Sequence, residues 1–195
     1  MDQTPDQDAP DAALLIAFAN GDATAGRALV ARLGPKLFGH AFRVLGDRAE
    51  AEDVVQDAMI KLWKIAPEWR QGEAQVSTWA YRVVANLCTD RLRRRKTRNQ
   101  VDIDAVAEPE ADMMSAVEQM TETARADALQ SALAELPDRQ RQAVILRHLE
   151  GLSNPEIADI LEVGVEAVES LTARGKRALK AVLQGRKEEL GYENG

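Results

Sequence analysis

Apolar residues recur along this chain at three- and four-residue steps almost from end to end, while runs alternating apolar with polar are missing. That period, without β-branched enrichment, predicts an all-α protein. Helices are expected at about 11–20, 22–45, 48–65 and 74–97, then at about 122–135, 138–149, 153–161 and 165–185. Gly34-Pro35 predicts a kink or break in the second. Asn20-Gly21 has the form of a hairpin turn, but its helix-like flanks favour a helix end and a new start at Asp22.

Two of these helices separate their faces clearly. Along 48–65, turning each residue by about 100° puts Val55, Ala58, Met59, Leu62 and Ile65 on a core side. Asp53, Gln56, Asp57, Ile60 and Lys64 fall opposite and, taken alone, read as a solvated face. Along 74–97, Val76, Ala80, Val83, Val84 and Leu87 make a stripe expected to be buried. Thr78, Arg82, Thr89, Arg93 and Lys96 lie opposite, with Asn86 on the flank and Trp79 between the two faces. The helix runs into Arg91, Arg93, Arg94, Arg95, Lys96 and Arg98, six bases in eight residues and more than a helix C-terminus needs. Hydroxyls, an amide and bases on one face suit a phosphate backbone and accessible nucleobases.

Farther along, Ser153-Asn154-Pro155-Glu156 combines an N-cap serine, an early proline and a glutamate three residues on, a capping box at a helix start. The short helix with Ile157, Ala158, Ile160 and Leu161, the turn at Glu162–Gly164 and the longer helix with Val165, Val168 and Leu171 have helix-turn-helix form. Small Ala158 lets the two helices approach closely. Plain helical hairpins share this pattern.

Composition narrows the class. A chain of 195 residues with 45% apolar content makes one ordinary domain or two small ones. The single cysteine, Cys88, excludes a disulfide framework and a cysteine-rich zinc site and points to a reducing compartment. No apolar run approaches the ~20 residues of a membrane span, and the acidic Met1–Asp11 lacks the layout of a signal peptide. A soluble, cytoplasmic protein without membrane insertion is expected. His40, His148 and Cys88 have no metal-ligand spacing, and no phosphate loop, nucleophile motif or catalytic carboxylate pair occurs. Neither an enzyme nor a cofactor is expected.

The net charge of −7 conceals unlike segments. Residues 1–12 hold four acids and no base, residues 13–98 carry +6, residues 99–122 hold seven acids and no Lys or Arg, and residues 123–195 carry −2. The expected organisation is therefore an acidic tail (1–12), a basic helical unit (13–98) and an acidic linker (99–122) with a short helix near Met113–Met120. A second helical unit (123–187) and a C-terminal tail (188–195) follow.

At this point the residues resemble a known family. Leu45-Gly46-Asp47-Arg48-Ala49-Glu50-Ala51-Glu52-Asp53-Val54-Val55-Gln56-Asp57, then Leu62-Trp63-Lys64, then Ser77-Thr78-Trp79-Ala80-Tyr81-Arg82 before the Arg-rich end, look like region 2 of a sigma-70-family factor. Leu136-Pro137 and the helix-turn-helix at 153–183 resemble region 4. With only an acidic linker between them, the layout is that of the extracytoplasmic-function class.

The resemblance implies a factor that binds core RNA polymerase, recognises the −35 and −10 promoter elements and promotes melting at the −10 element for a stress or signal regulon. It implies that Asp53, Gln56 and Asp57, supported by Met59 and Trp63, grip the clamp helices of the β′ subunit, reversing the plain solvated-face reading. The β flap is a further expected contact. It assigns Thr78, Trp79, Arg82 and Asn86 to capture of flipped −10 bases, and Arg93, Arg94 and Lys96 to the −10 backbone. On the second helix of region 4, Glu166, Ser170, Arg174, Lys176, Arg177 and Lys180 are the −35 candidates. An anti-sigma factor is an implied partner. Glu162 departs from the family, which usually has Gly there, as does Gly164, where Ser or Thr is usual, and a positive φ at Glu162 would be uncomfortable. The rival readings are a sigma-like decoy that occupies an anti-sigma factor without binding DNA, and a repressor using only 153–183.

Overall fold

In the computed structural model, residues 10–70, 72, 75–101 and 117–189 are described. Eight α-helices follow in order: α1 (Asp11–Ala19), α2 (Ala23–Leu45), α3 (Arg48–Ile65), α4 (Val76–Val101), α5 (Val117–Ala134), α6 (Asp138–Val144), α7 (Asn154–Leu161) and α8 (Val165–Glu189). A 3₁₀ turn, Ala66–Glu68, extends α3, and a π-helical turn, Ile145–Leu149, extends α6. No strand occurs among the described residues.

Local chemistry starts these helices. The Asp22 carboxylate accepts from the amides of Thr24 at 2.8 Å and Ala25 at 3.3 Å, satisfying donors that have no partner in the first turn of α2. Asp47 does the same for Glu50 at the start of α3. At α7 the capping box is complete: the Ser153 amide donates to Glu156 at 2.8 Å while the Ser153 side chain receives the Glu156 amide. The hydroxyl and amide of Ser153, in that order of effect, hold the Glu156 carboxyl below its usual range.

Helix α2 corrects one expectation, since it runs through Pro35 without a break. A proline mid-helix removes one amide donor and crowds the carbonyl four residues back. Pro35 and Ala31 are both exposed, so water can take that carbonyl.

The core is one continuous cluster across both halves of the chain. Leu15, Leu29, Leu37, Val54 and Leu62 fill the first unit; Leu133, Ile145, Leu146, Ile157 and Ile160 fill the second. Each such side chain contributes roughly 1.5–3 kcal/mol by leaving water. On α3 the buried positions are Ala51, Val54, Ala58, Met59 and Leu62, with Val55 and Ile65 half-buried, so the core stripe sits slightly off the one expected.

The two units are closed on one another. Helix α4 lies against α7 and α6, and the end of α2 lies against α5 and the π turn. Beside the shared apolar core, polar groups tie this contact. Gly46 ends α2 at φ 69°, a left-handed conformation suited to glycine, and its amide donates to the Phe42 carbonyl. Gln130 then donates to the carbonyls of Phe42 and Arg43, and the buried Arg141 donates to that of Val44 at 2.7 Å. Side chains of the second unit thus cap the C-terminus of a helix in the first. The acidic linker expected over 99–122 falls largely outside the described residues, as do the two tails and the start of the helix expected near Met113.

Candidate nucleic-acid and protein interface

The outer face of α3 is open. Side chains of Asp53 and Asp57 are 64% and 53% exposed, Gln56 and Lys64 are exposed, and Ile60 is an exposed apolar residue among them. Met59 is buried beneath this face. Trp63 is half-buried, its ring 4.3 Å from that of Phe18, and both line a shallow apolar groove of about 480 Å³ with Gly26 and Val30. The five residues assigned to a protein contact therefore form two exposed acids, an exposed amide and an aromatic rim over one buried methionine.

Helix α4 is covered on two sides, which rotates its buried stripe relative to expectation. Val76, Ala80 and Val84 are buried as expected, but Val83 and Leu87 are only half-buried, and Tyr81, Ala85, Cys88 and Leu92 are buried instead. The second unit accounts for the difference. Thr78 is 9% exposed and borders a cleft with Glu150, Leu152, Glu156 and Ile160. The Thr89 hydroxyl accepts from Gln142 at 2.9 Å, and Lys96 pairs with Asp138 at 2.7 Å. Half of the polar face read from the wheel thus meets side chains of the second unit in this closed arrangement.

The remaining −10 candidates look outward or sideways. Asn86, Arg93 and Arg94 are exposed, Arg93 reaching back to Asp90 at 2.9 Å. Trp79 is half-buried, edge-on to Trp69 with ring centroids 6.4 Å apart. Arg82 is half-buried and its Nε lacks a hydrogen-bond partner. Helical spacing places Trp79, Asn86 and Arg94 on one outer stripe. Arg91 and Arg95 point the other way, onto the acids of α3, which the one-dimensional charge run could not show.

The second unit builds the helix-turn-helix as read. The turn carries Glu162 at φ 53°, the only positive φ among the described non-glycine residues. Gly175 lets α8 approach α6, because a Cβ there would stand 2.6 Å from the Val144 side chain and 3.1 Å from the Gln140 carbonyl oxygen. Glu166, Ser170, Arg177 and Lys180 are exposed on α8. Arg174 is exposed too but folds back to donate to the Ser170 hydroxyl at 2.8 Å. Lys176 is set apart from them, lining an apolar groove of about 180 Å³ with Leu129, Leu133, Val144, His148, Leu149 and Leu179.

Two residues singled out by the sequence have plain placements. Cys88 is buried, and burial pushes its thiol up to about 12. His40 is fully buried edge-on to Tyr81, with neither ring nitrogen bonded, and burial lowers its pKa to about 3. Among the described residues no group of three or more His, Cys, Asp or Glu could hold a metal ion. No described helix is long and apolar enough to cross a membrane.

Comparison with known proteins gives this geometry a family. Residues 29–98 match Sigma-70 region 2 and residues 126–179 match Sigma-70 region 4. The ECF RNA polymerase sigma factor SigM of Mycobacterium tuberculosis is 36% identical over 173 residues, spanning 89% of this chain and 84% of SigM. The RNA polymerase sigma-H factor of Pseudomonas aeruginosa is 30% identical, with 89% of this chain and 94% of that protein covered. Among solved structures, CnrH in complex with the cytosolic domain of CnrY superposes with a TM-score of 0.68 at 26% identity, over 90% of this chain and 97% of that one. With both regions matched in order and full-length relatives aligned across most of their length, the chain belongs to the sigma-70 family of RNA polymerase sigma factors, in its extracytoplasmic-function class.

Proposed function

We propose that this protein is a promoter-specificity subunit: it binds core RNA polymerase, recognises −35 and −10 elements and promotes melting at the −10 element. The observation that carries this reading is the open face of α3, where Asp53, Gln56 and Asp57 stand exposed near the half-buried Trp63, with the Arg91 guanidinium of α4 beside the two acids. Basic residues of the β′ clamp helices are the partner chemistry that fits it. The groove at Leu133, Val144 and Leu179 suits an apolar segment of the β flap. Trp79, Asn86 and Arg94 supply stacking, amide and cationic contacts for a displaced strand, whose unstacking costs a few kcal/mol per step. The exposed side of α8 faces a major groove.

The closed arrangement is the polymerase-free state in this reading. Region 4 covers Thr78 and engages Thr89 and Lys96, so polymerase must part the units before the full −10 face is available. The acidic tail and linker, outside most of the described residues, add repulsion toward free DNA. An anti-sigma factor is the further partner, a reading supported by the likeness to CnrH, which is solved in complex with the cytosolic domain of CnrY. The decoy reading draws support from the covered Thr78 alone, while exposed Arg94 and Asn86 argue against it. Transcription in vitro with purified core polymerase separates the two. A promoter-specific transcript is expected, and its absence from every candidate promoter overturns the proposal. Charge reversal at Asp53 and Asp57 is expected to abolish polymerase binding in this reading, whereas a repressor using only 153–183 would keep its DNA binding unchanged by it.

A further inference from the structure

Two of the six bases between Arg91 and Arg98 face inward, toward α3. Arg95 bonds the Glu50 carboxylate at 2.9 and 3.2 Å and the Leu45 carbonyl at 2.8 Å. One turn earlier, the Arg91 guanidinium lies 3.6 Å from Asp53 and 3.9 Å from Asp57. Partner numbers rise on α3 as they fall on α4, so the helices run antiparallel and their charges form a ladder along the seam.

The two rungs differ in kind. Arg95 donates hydrogen bonds to Glu50 Oε1 and to the Leu45 carbonyl. Arg91 is only 24% exposed, yet both its contacts exceed hydrogen-bond length. Asp53 and Asp57 therefore keep their lone pairs open while sharing one cation. Two carboxylates four residues apart on a helix repel each other, and a guanidinium between them offsets that repulsion and turns both toward the same side.

We propose that Arg91 is a positioning residue for the polymerase contact, holding Asp53 and Asp57 as an aimed pair for basic side chains of the partner, and that it belongs to the protein-binding half of the molecule although it sits within the DNA-facing run. This rests on the polymerase reading of α3. A phosphate would have to draw Arg91 from beneath α3 and off two carboxylates, whereas Arg93 and Arg94 are already exposed to it.

The test uses the full chain and measures equilibrium affinity for core RNA polymerase and, separately, for a single-stranded −10 oligonucleotide. Arg91→Ala, and Arg91→Gln, which keeps more of the stem's packing, are expected to weaken polymerase binding about 5-fold, the size of coupling between contacting charges. Arg91→Lys recovers most of that loss, while oligonucleotide affinity and the unfolding midpoint stay near wild type. Unchanged or tighter polymerase binding overturns the proposal, as does a loss shared equally by the oligonucleotide. A double charge reversal at Asp53 and Asp57 separates the failures. If it leaves polymerase binding intact, the polymerase reading itself falls; if it abolishes binding while Arg91→Ala does not weaken it, only the role of Arg91 falls.

Discussion

Glu150 of the second unit accepts the Arg43 guanidinium of the first at 2.7 Å, and the Tyr81 hydroxyl, also from the first unit, donates to its other oxygen at 2.9 Å. The carboxylate is 9% exposed, so it is nearly enclosed by groups from both halves. Burial, followed by the charge and hydrogen bond of Glu150, pushes the Tyr81 hydroxyl well above its usual range, keeping it a donor at any working pH.

Glu150→Ala removes the acceptor shared by these donors. A buried donor left unpaired costs about 1–3 kcal/mol, and Arg43 keeps some solvent, so the low end applies. The closed arrangement should loosen by roughly tenfold in equilibrium constant. Small-angle scattering is expected to show a larger radius of gyration and a DNA titration without polymerase to show tighter binding; unchanged scattering would count against a latch here.

His40 makes stability depend on pH. Its folded pKa of about 3 lies below the usual 6.5, first because it is buried and second because Arg43 is near. The unfolded chain therefore takes up the proton first, and stability falls as pH drops below 6.5, by about 1.4 kcal/mol per pH unit until the folded pKa is reached. Neither ring nitrogen has a partner to lose. Urea midpoints between pH 5 and 6.5 should slope in the wild type and flatten in His40→Leu; equal slopes would refute this account.

Glu162 is held at φ 53°, where a side chain costs about 1–2 kcal/mol relative to glycine. Glu162→Gly should raise the unfolding midpoint, in line with about 1 kcal/mol of added stability. A lower midpoint would mean that the glutamate side chain makes a compensating contact.

The Cys88 thiol, buried and pushed up to about 12, offers almost no thiolate. A thiol reagent at pH 8 should label the native protein only as fast as it opens and label the urea-unfolded chain at once. Rapid stoichiometric labelling of the native form would contradict this burial.

Helix positions were largely legible because period and caps act locally. The span 48–65 for α3 and the capped start at Ser153 came from residues within one or two turns of each other. The unbroken α2 was hidden because the exposure of Pro35 and Ala31 is set by tertiary packing. On α4, a wheel separates polar from apolar but does not say what covers each. Thr78 and Thr89 read as a free polar face, and a second helical unit turned out to bury the first and to hydrogen-bond the second. The same limit applied to charge: six bases in a row look alike until the opposing helix shows that Arg91 and Arg95 have acids beneath them.

The carbonyls that end α2 find their donors on Gln130 and Arg141, across the boundary between the units. Domain parting and loosening of that helix end are consequently coupled, although Gly46 and Arg95 of the first unit still hold the Phe42 and Leu45 carbonyls. When the units separate, water replaces those donors and the last turn of α2 softens. Slow amide hydrogen exchange at that turn then acts as a clock for opening of the whole molecule, readable without a probe on either DNA-binding surface.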